Sequence, residues 1–599
     1  MKEQALNRIF LDRIREGGET VRYLVPEAGG AWRPVTYAEV GRAGREVACG
    51  LMSLGLSRGD RVSILCSTRY EWVMADIGAV FGGFVTAPIY PSNLPDQVEF
   101  ILAHCRAHLL FVEDEEQWNK VQGGLPRLPS LTRIVMLTGS AEGKASTMGI
   151  AALREAGHEW DAAHPGAFEA RTEEITPDDD LTITYTSGTT GPPKGVVSRH
   201  RNYAFLSASC REAVPVLRKG QTMLHFLPLA HTLGRLEHVL SFDVMIVSAF
   251  ARSIQTVAED LPLIRPDIMV SVPRLYEKFY AKVLSRVSEA GPLKRALFRW
   301  ALAAGRDASR RRQRGEIVAG TAAFRLFIAD RLVFRKLRAR LGGRLSFFVS
   351  GGAPLSPEIA EFFHAMGVLI LEGYGMTENC SVASVNRVEH FKFGTVGKAM
   401  PGTELKIAPD GEILIRGPHV FKEYLDDPAA TREAIDAEGW LHSGDIGTMD
   451  AEGFLRVTDR KKDIIVTSGG KNIAPQNIEN LLKNDPYVSQ AFVYGDRRKY
   501  LTAILTPSPD ELRDWAAQQG IAERELESLV ALPEVQALFR QRIDGVNRQL
   551  ATFEQVKKFI LLGRDFSQEA GELTPTLKIK RRIMIEKFGA MLDALYEKD

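Results

Sequence analysis

Leu181-Thr182-Ile183-Thr184-Tyr185 alternates apolar and polar side chains and runs directly into Thr186-Ser187-Gly188-Thr189-Thr190-Gly191-Pro192-Pro193-Lys194-Gly195. The alternation is that of a β-strand with one buried face. The glycines that follow let backbone N–H groups come close to a ligand. The hydroxyls of Thr186, Ser187, Thr189 and Thr190 and the ammonium of Lys194 add side-chain donors. A strand ending in such a loop reads as an anion-binding site. It is not a Walker A loop, because Lys194 precedes the last glycine instead of following it and leading into Ser or Thr. A plain surface turn fits poorly with six consecutive hydroxyl-or-glycine positions followed by a lysine.

Working outward, short apolar runs alternate with helix-like segments. Arg61–Cys66, Val85–Ile89 and Leu109–Val112 read as strands; Tyr70–Phe81 and Asp96–His104 read as helices. The pattern returns in the strand Arg344–Val349, the turn at Gly351-Gly352, the helix Ser356–Met366 and the strand Val368–Leu371. Strands separated by helices imply βαβ units and a largely parallel sheet. From Thr403 to Gly417 the texture shortens to a small β subdomain. The cluster Asp459-Arg460-Lys461-Lys462-Asp463 separates this from a further α+β pattern: a helix Ala474–Leu482, strands Val488–Tyr494 and Leu501–Thr506, and a capping box at Ser508-Pro509-Asp510-Glu511. The expected fold class is therefore α/β. A large domain over 1–458 stacks α/β subdomains and a small β subdomain, 459–463 is a hinge, and 464–599 is a small, mobile α+β domain.

The 599 residues exceed what one core usually serves. Basic and acidic residues number 76 and 75, so net charge gives no case for nucleic acid as a partner. Cys49, Cys66, Cys105, Cys210 and Cys380 are scattered and odd in number, which argues against a disulfide framework and for a reducing compartment. Neither a signal peptide nor a spanning segment stands out. A cytoplasmic protein is expected, with peripheral membrane contact left open.

Seven motifs occur in one order: the loop Tyr185–Gly195; Leu227-Pro228-Leu229-Ala230-His231; Ser350-Gly351-Gly352-Ala353-Pro354; Gly373-Tyr374-Gly375-Met376-Thr377-Glu378; Gly439-Trp440-Leu441-His442-Ser443-Gly444-Asp445; the 459–463 cluster; and Thr574-Pro575-Thr576-Leu577-Lys578-Ile579-Lys580. Through them nearly the whole chain resembles the adenylate-forming (AMP-binding) superfamily of acyl-CoA synthetases, luciferases and peptide-synthetase adenylation domains. The resemblance implies that a carboxylate attacks the α-phosphate of ATP, expels pyrophosphate and leaves an acyl-adenylate. A thiol then displaces AMP. ATP, Mg2+ and coenzyme A are the implied cofactors and co-substrates.

Such chemistry asks for positioned anions and neutralised charge, not a protein nucleophile. Ser187, Thr189, Thr190 and Lys194, with Thr186, Gly188 and Gly191 shaping the loop, are expected on the β- and γ-phosphates. Glu378 is expected on magnesium, since that ion prefers carboxylate and phosphate oxygens. Thr377 is expected on the α-phosphate, and Tyr374 with Gly351, Gly352, Gly373 and Gly375 around adenine. Asp445 suits two ribose hydroxyls, with Arg460 a further donor unless it is a surface ion pair. The resemblance makes Lys578 the lysine of adenylation, although Lys580, Arg581 and Arg582 crowd nearby and Thr576-Leu577 stands where many members carry Ser-Gly. It also places His231 between nucleotide and acid, with a core histidine as the competing reading.

Gly469 and Gly470 resemble the stretch that admits the pantetheine arm, while Val466 stands where some relatives carry a lysine. No carrier domain is expected in the 21 residues after Lys578, so free coenzyme A is the expected acceptor. Ser271–Lys278 and the helical stretch after it resemble the long-chain fatty-acid branch. Between Lys294 and Arg344 stand fifteen Lys/Arg and three Asp/Glu. Leu293, Leu297, Trp300 and Ala304, and Leu326, Val333, Leu337 and Leu341, follow helical spacing. The segment 293–344 is either a basic amphipathic hairpin for an anionic membrane or a helix pair packed on the core with a solvated face. An adenylating enzyme with a carrier-protein acceptor, and a non-catalytic lipid- or nucleotide-binding protein of this fold, are the competing readings.

Overall fold

The helix Tyr70–Gly82 is buried at every residue from Trp72 onward, and a helix apolar on all sides must be covered on all sides. One neighbour is the helix Tyr37–Ser53, close enough that a Cβ on Gly78 would lie 2.3 Å from Val47. The computed structural model describes residues 4–186, 193–469, 471–522, 525–574 and 578–597. Within them, an eight-stranded and a nine-stranded sheet hold the helices between and around them. Arg61–Leu65, Val85–Ile89 and Leu109–Val112 pair in parallel in the first sheet, where the sequence pattern puts them. Thr222–His225, Ile268–Ser271, Phe347–Ser350 and Leu369–Tyr374 run parallel in the second. The carboxyl ends of its strands lie along one edge, where ligands of such sheets bind.

Glu404–Ile407, Glu412–Arg416, Leu441–Met449 and Leu455–Arg460 form a four-stranded antiparallel subdomain. Arg460 is its last strand residue and pairs with Asp445, so the charged cluster begins inside a strand and only 461–463 form the turn. Beyond it, Val488–Tyr494, Leu501–Pro507 and Val556–Leu561 make a three-stranded sheet with a separate core.

Four local expectations are corrected. The strand expected from Arg344 starts at Phe347, because the Arg344 guanidinium is held by Asp267, Nη2 to Oδ1 2.9 Å. The strand expected to stop at Leu371 continues through Tyr374, where an antiparallel partner, Ser384–Val385, extends the pairing. Lys194 is not in a loop: it opens the strand Lys194–Arg199, opposite Thr186. The segment between Thr186 and Lys194 thus joins two antiparallel strands. At Ser508 proline takes the first helical position, but the serine side chain makes no capping bond.

The basic segment folds as helices Pro292–Gln313 and Gly320–Ala329, a π-helical turn Asp330–Phe334 and a helix Arg335–Arg340. Small residues seat it. A Cβ on Gly305 would lie 2.5 Å from the Ala365 carbonyl oxygen. Leu293 and Leu297, read as the start of an apolar stripe, are exposed, as are Ile317, Phe324, Phe327 and Leu332. No helix among the described residues is long and apolar enough to cross a membrane.

Candidate active site

One cavity of about 1620 Å³ opens between the sheets, the β subdomain and the small domain. Its polar end gathers Thr186, Lys194, His231, Gly351, Gly352, Gly373, Tyr374, Gly375, Thr377, Glu378, Asp445, Arg460 and Lys578. Residues expected from all seven motifs therefore meet in one place. Ser187, Gly188, Thr189, Thr190, Gly191 and Gly470 lie outside the described residues. Gly469 is described and does not line the cavity. The structure brings Lys578 to the site and leaves Gly469 away from it.

Glu378 sits in a 3-10 turn after the Leu369–Tyr374 strand and is almost fully buried. The Tyr424 hydroxyl donates to its Oε1 at 2.8 Å, and Lys194 Nζ lies 4.8 Å from the centre of the Tyr424 ring. Burial pushes the Glu378 carboxyl above its ordinary range, and the Tyr424 hydrogen bond opposes that shift. Among the described residues no three His, Cys, Asp or Glu side chains form a protein-only metal cage. Magnesium carried by nucleotide phosphates needs only one or two carboxylates, a donor set that Glu378 fits.

Asp445 lies in the strand Leu441–Met449. Tyr374 donates its hydroxyl to Asp445 Oδ2 at 2.7 Å, and Arg460 Nε is 3.4 Å from Oδ1. The stacking surface expected of Tyr374 is thereby tied to the carboxylate expected for ribose. Arg460 both pairs with Asp445 and lines the cavity.

Burial lowers the Lys578 ammonium to about 8; Arg460 adds to the shift, and Asp445 and Glu378 oppose it. Lys580 also lines the cavity, while Arg581 is committed to Glu479 at 2.6 Å. His231 caps the helix Thr232–Asp243, its Nδ1 accepting from Leu233 N at 3.1 Å. Burial, then Lys578, hold it down to about 4. It is thus a neutral ring that both caps a helix and lines the site.

Sequence reasoning missed four participants. Tyr424 stands in no motif. Glu372, buried in the strand beneath Gly373, accepts from Leu355 N at 2.9 Å, and burial raises it to about 8. Arg274, quoted only for resemblance, reaches across to the small domain and bonds the Ser489 oxygens at 3.1 and 2.9 Å. Glu237, on the helix Thr232–Asp243, lines the inner part of the cavity; an acid on an otherwise apolar helical face was the available signal.

That inner part is apolar: Cys210, Val214, Leu217, Met223, Leu236, Leu240, Ile268, Val270 and Phe347. The helix that forms one wall is fixed from behind. Arg235, fully buried, donates to Thr86 Oγ1, Thr182 Oγ1 and Asp76 Oδ1 at 2.8, 3.0 and 2.7 Å.

Two stacked α/β subdomains, a β subdomain and a small domain that inserts a buried lysine define an adenylate-forming architecture. The chain belongs to the AMP-binding enzyme family: that family's model matches residues 15–425, and the model of the AMP-binding enzyme C-terminal domain matches 462–599. It is 38% identical to the long-chain-fatty-acid–CoA ligase FadD15 of Mycobacterium bovis, over 95% of this chain and 93% of that one. It is 35% identical to the peroxisomal long chain acyl-CoA synthetase 6 of Arabidopsis thaliana, over 95% and 82%. Among solved structures, the anthranilate CoA ligase AuaEII bound to anthranoyl-AMP aligns with a TM-score of 0.72 at 21% identity, over 98% and 97%. The carboxylic acid reductase A domain from Segniliparus rugosus, with AMP and a co-purified carboxylic acid, aligns at 0.73 and 21%, over 100% and 95%.

Proposed function

We propose that this enzyme activates a long-chain fatty acid with ATP and transfers it to coenzyme A. The observation that carries the reading is the continuity of the polar end of the cavity with its apolar interior. The names of the curated relatives support it independently. The acid's alkyl chain lies in the apolar part and its carboxylate reaches the polar end. A carboxylate oxygen attacks the α-phosphorus, and the bond to pyrophosphate breaks. The thiol sulfur of coenzyme A then attacks the acyl carbon, and AMP leaves.

Lys578 bridges carboxylate and α-phosphate as charge redistributes, and Thr377 donates to the α-phosphate. Asp445 accepts from the ribose, and Tyr374 lies against adenine. Lys194 and the hydroxyls of the 186–191 loop hold the outer phosphates. Magnesium, held by Glu378 and the phosphates, supplies charge neutralisation. His231, neutral, separates acid from nucleotide without adding a charge.

A panel of acids from acetate to oleate, assayed for coenzyme-A-dependent AMP formation, tests this. Each buried methylene contributes about 0.8 kcal/mol, and with the resemblance to long-chain enzymes the optimum is expected at roughly twelve to eighteen carbons. An optimum at acetate or an aromatic acid overturns the substrate class. Adenylation that proceeds with no thioester to coenzyme A moves the acceptor to a carrier protein.

The basic segment is assigned to an anionic bilayer. Phe324, Phe327 and Leu332 stand exposed beside Arg325, Arg331 and Arg335, which have no ion pair among the described residues. Apolar side chains flanked by free cations suit lipid headgroups. Co-sedimentation with anionic but not neutral vesicles, lost in the Phe324→Ser/Phe327→Ser double variant, is the expected result. Equal sedimentation of the two proteins overturns it.

A further inference from the structure

The lining of the cavity's apolar part includes an acidic residue, Glu237, that nothing in acyl activation uses. Glu237 lies four residues after Leu233 and three before Leu240, so the three share one helical face. All three line the cavity, with Leu236 beside them. Arg235, two residues earlier, points the opposite way into the eight-stranded sheet. That fixes the helix with Glu237 turned inward.

The Glu237 side chain is 1% exposed, and neither carboxyl oxygen has a hydrogen-bond partner. His225 stands beside it, Nε2 3.5 Å from Oε2, and also faces the Gly234 carbonyl oxygen at 3.4 Å. Burial drives Glu237 well above its ordinary range and His225 down to about 3, disfavouring the charge on each. A neutral carboxyl has an O–H to donate and a carbonyl oxygen to accept. A buried polar group without a partner is destabilising, and a fully methylene chain beside it leaves that cost in place.

We propose that Glu237 is a recognition point for an oxygen substituent on the acyl chain, and that hydroxy or oxo long-chain acids are preferred substrates. This rests on the fatty-acid reading above. Glu237 is six residues beyond His231, about 9 Å along the helix axis at 1.5 Å per residue. The substituent is therefore expected well down the chain and not beside the carboxylate. A purely apolar pocket discriminates weakly against an added hydroxyl. A site with its own buried hydrogen-bonding group discriminates strongly against the chain that lacks one.

The test compares kcat/KM for octadecanoic acid with that for monohydroxy-octadecanoic acids substituted at successive positions. Wild type, Glu237→Leu, Glu237→Met and Glu237→Gln are assayed. In wild type one mid-chain position should exceed the unsubstituted acid. That ratio should fall roughly tenfold or more in the leucine and methionine variants, while the unsubstituted acid keeps or gains rate. The glutamine variant, which can still donate and accept, should retain most of the preference. The methionine variant keeps the test available if leucine does not fold. Ratios that are the same in all four proteins overturn the role of Glu237 and leave the fatty-acid reading standing. Failure of substituted and unsubstituted long acids alike, with another acid class active, overturns both.

Discussion

The two ends of the cavity are held by different means. The apolar end is built wholly from the large domain. Its wall helix is anchored by three hydrogen bonds from one buried arginine. The polar end is completed from outside, by Lys578 on the small domain. Among the described residues the polar contacts that hold that domain include Arg274 to Ser489, Asn484 Nδ2 to Ser356 Oγ at 3.0 Å, and Gln476 N to Asp459 Oδ2 at 3.4 Å. Surface contacts of this kind hold domains only loosely. The difference separates two tasks. Under the proposed function, acid selection needs a preformed shape, whereas the chemistry needs a lysine that can be delivered and withdrawn.

The sharpest way to break the comparison is to remove the delivered group. Lys578→Ala should lower acyl-AMP formation by roughly 10²–10³-fold, the scale of losing a charge stabiliser at a transition state. Conversion of supplied acyl-AMP by coenzyme A should stay within a few-fold. Lys462→Pro should do the reverse. Among the described residues the turn 461–463 uses the N–H groups of Lys461 and Asp463 but not that of Lys462, so proline there acts by fixing φ. Pyrophosphate release and thioester formation, measured separately, read the two steps. Equal loss of both steps in both folded variants would remove the support for a moving small domain.

The fixed end should respond to shape alone. Val270→Phe narrows the apolar part of the cavity, so kcat/KM for the longest accepted acids should fall. Two or three methylenes denied burial amount to about 2 kcal/mol, or roughly thirtyfold. Shorter acids and the KM for ATP should hardly change. A uniform loss across chain lengths would mean that Val270 supports the fold and not the chain.

The two ends also differ in how far they could be read from the sequence. Phosphate and ribose chemistry demands particular residue types at short spacing, so Thr186, Lys194, Tyr374, Glu378 and Asp445 stood out, while Lys578 was picked from its basic neighbours only by the family resemblance. The large-domain strands were legible for a related reason: Val85–Ile89 and Leu109–Val112 are fully buried apolar runs. The apolar interior takes one or two residues each from distant elements. Burying an alkyl chain asks only for apolar side chains, which every core position supplies. Tyr424 escaped because its role is fixed by a hydroxyl reaching Glu378 across 46 positions, and Glu237 because its meaning depends on which way its helix is turned.

Titration sharpens the comparison on the polar side. In the proposed mechanism Lys578 acts as a cation, and burial brings it down to about 8. Its protonated fraction therefore falls as pH rises through that value. With acid and ATP subsaturating, kcat/KM for adenylation should decline about tenfold per unit above pH 8. Conversion of supplied acyl-AMP should lack that limb. An adenylation profile flat to pH 10 would show that the ammonium is not the group required.

The smallest expected effect concerns the hydroxyl that steadies Glu378. Tyr424→Phe removes the donor to Oε1 while keeping the ring beside Lys194. That hydrogen bond lowers the Glu378 carboxyl against a burial shift in the other direction. Without it the carboxyl should bind its proton at higher pH, and the proton competes with magnesium for the same oxygens. The magnesium concentration for half-maximal adenylation should rise a few-fold, in line with about 1 kcal/mol for one hydrogen bond to a buried acceptor. The rise should be larger at pH 6 than at pH 8, because more of the variant's carboxyl is protonated there. Glu378→Gln, which removes the charge itself, should raise the requirement at both pH values alike and suppress adenylation further. A Tyr424→Phe enzyme with an unchanged magnesium curve at both pH values would confine Tyr424 to packing and leave the Glu378 assignment to the glutamine variant.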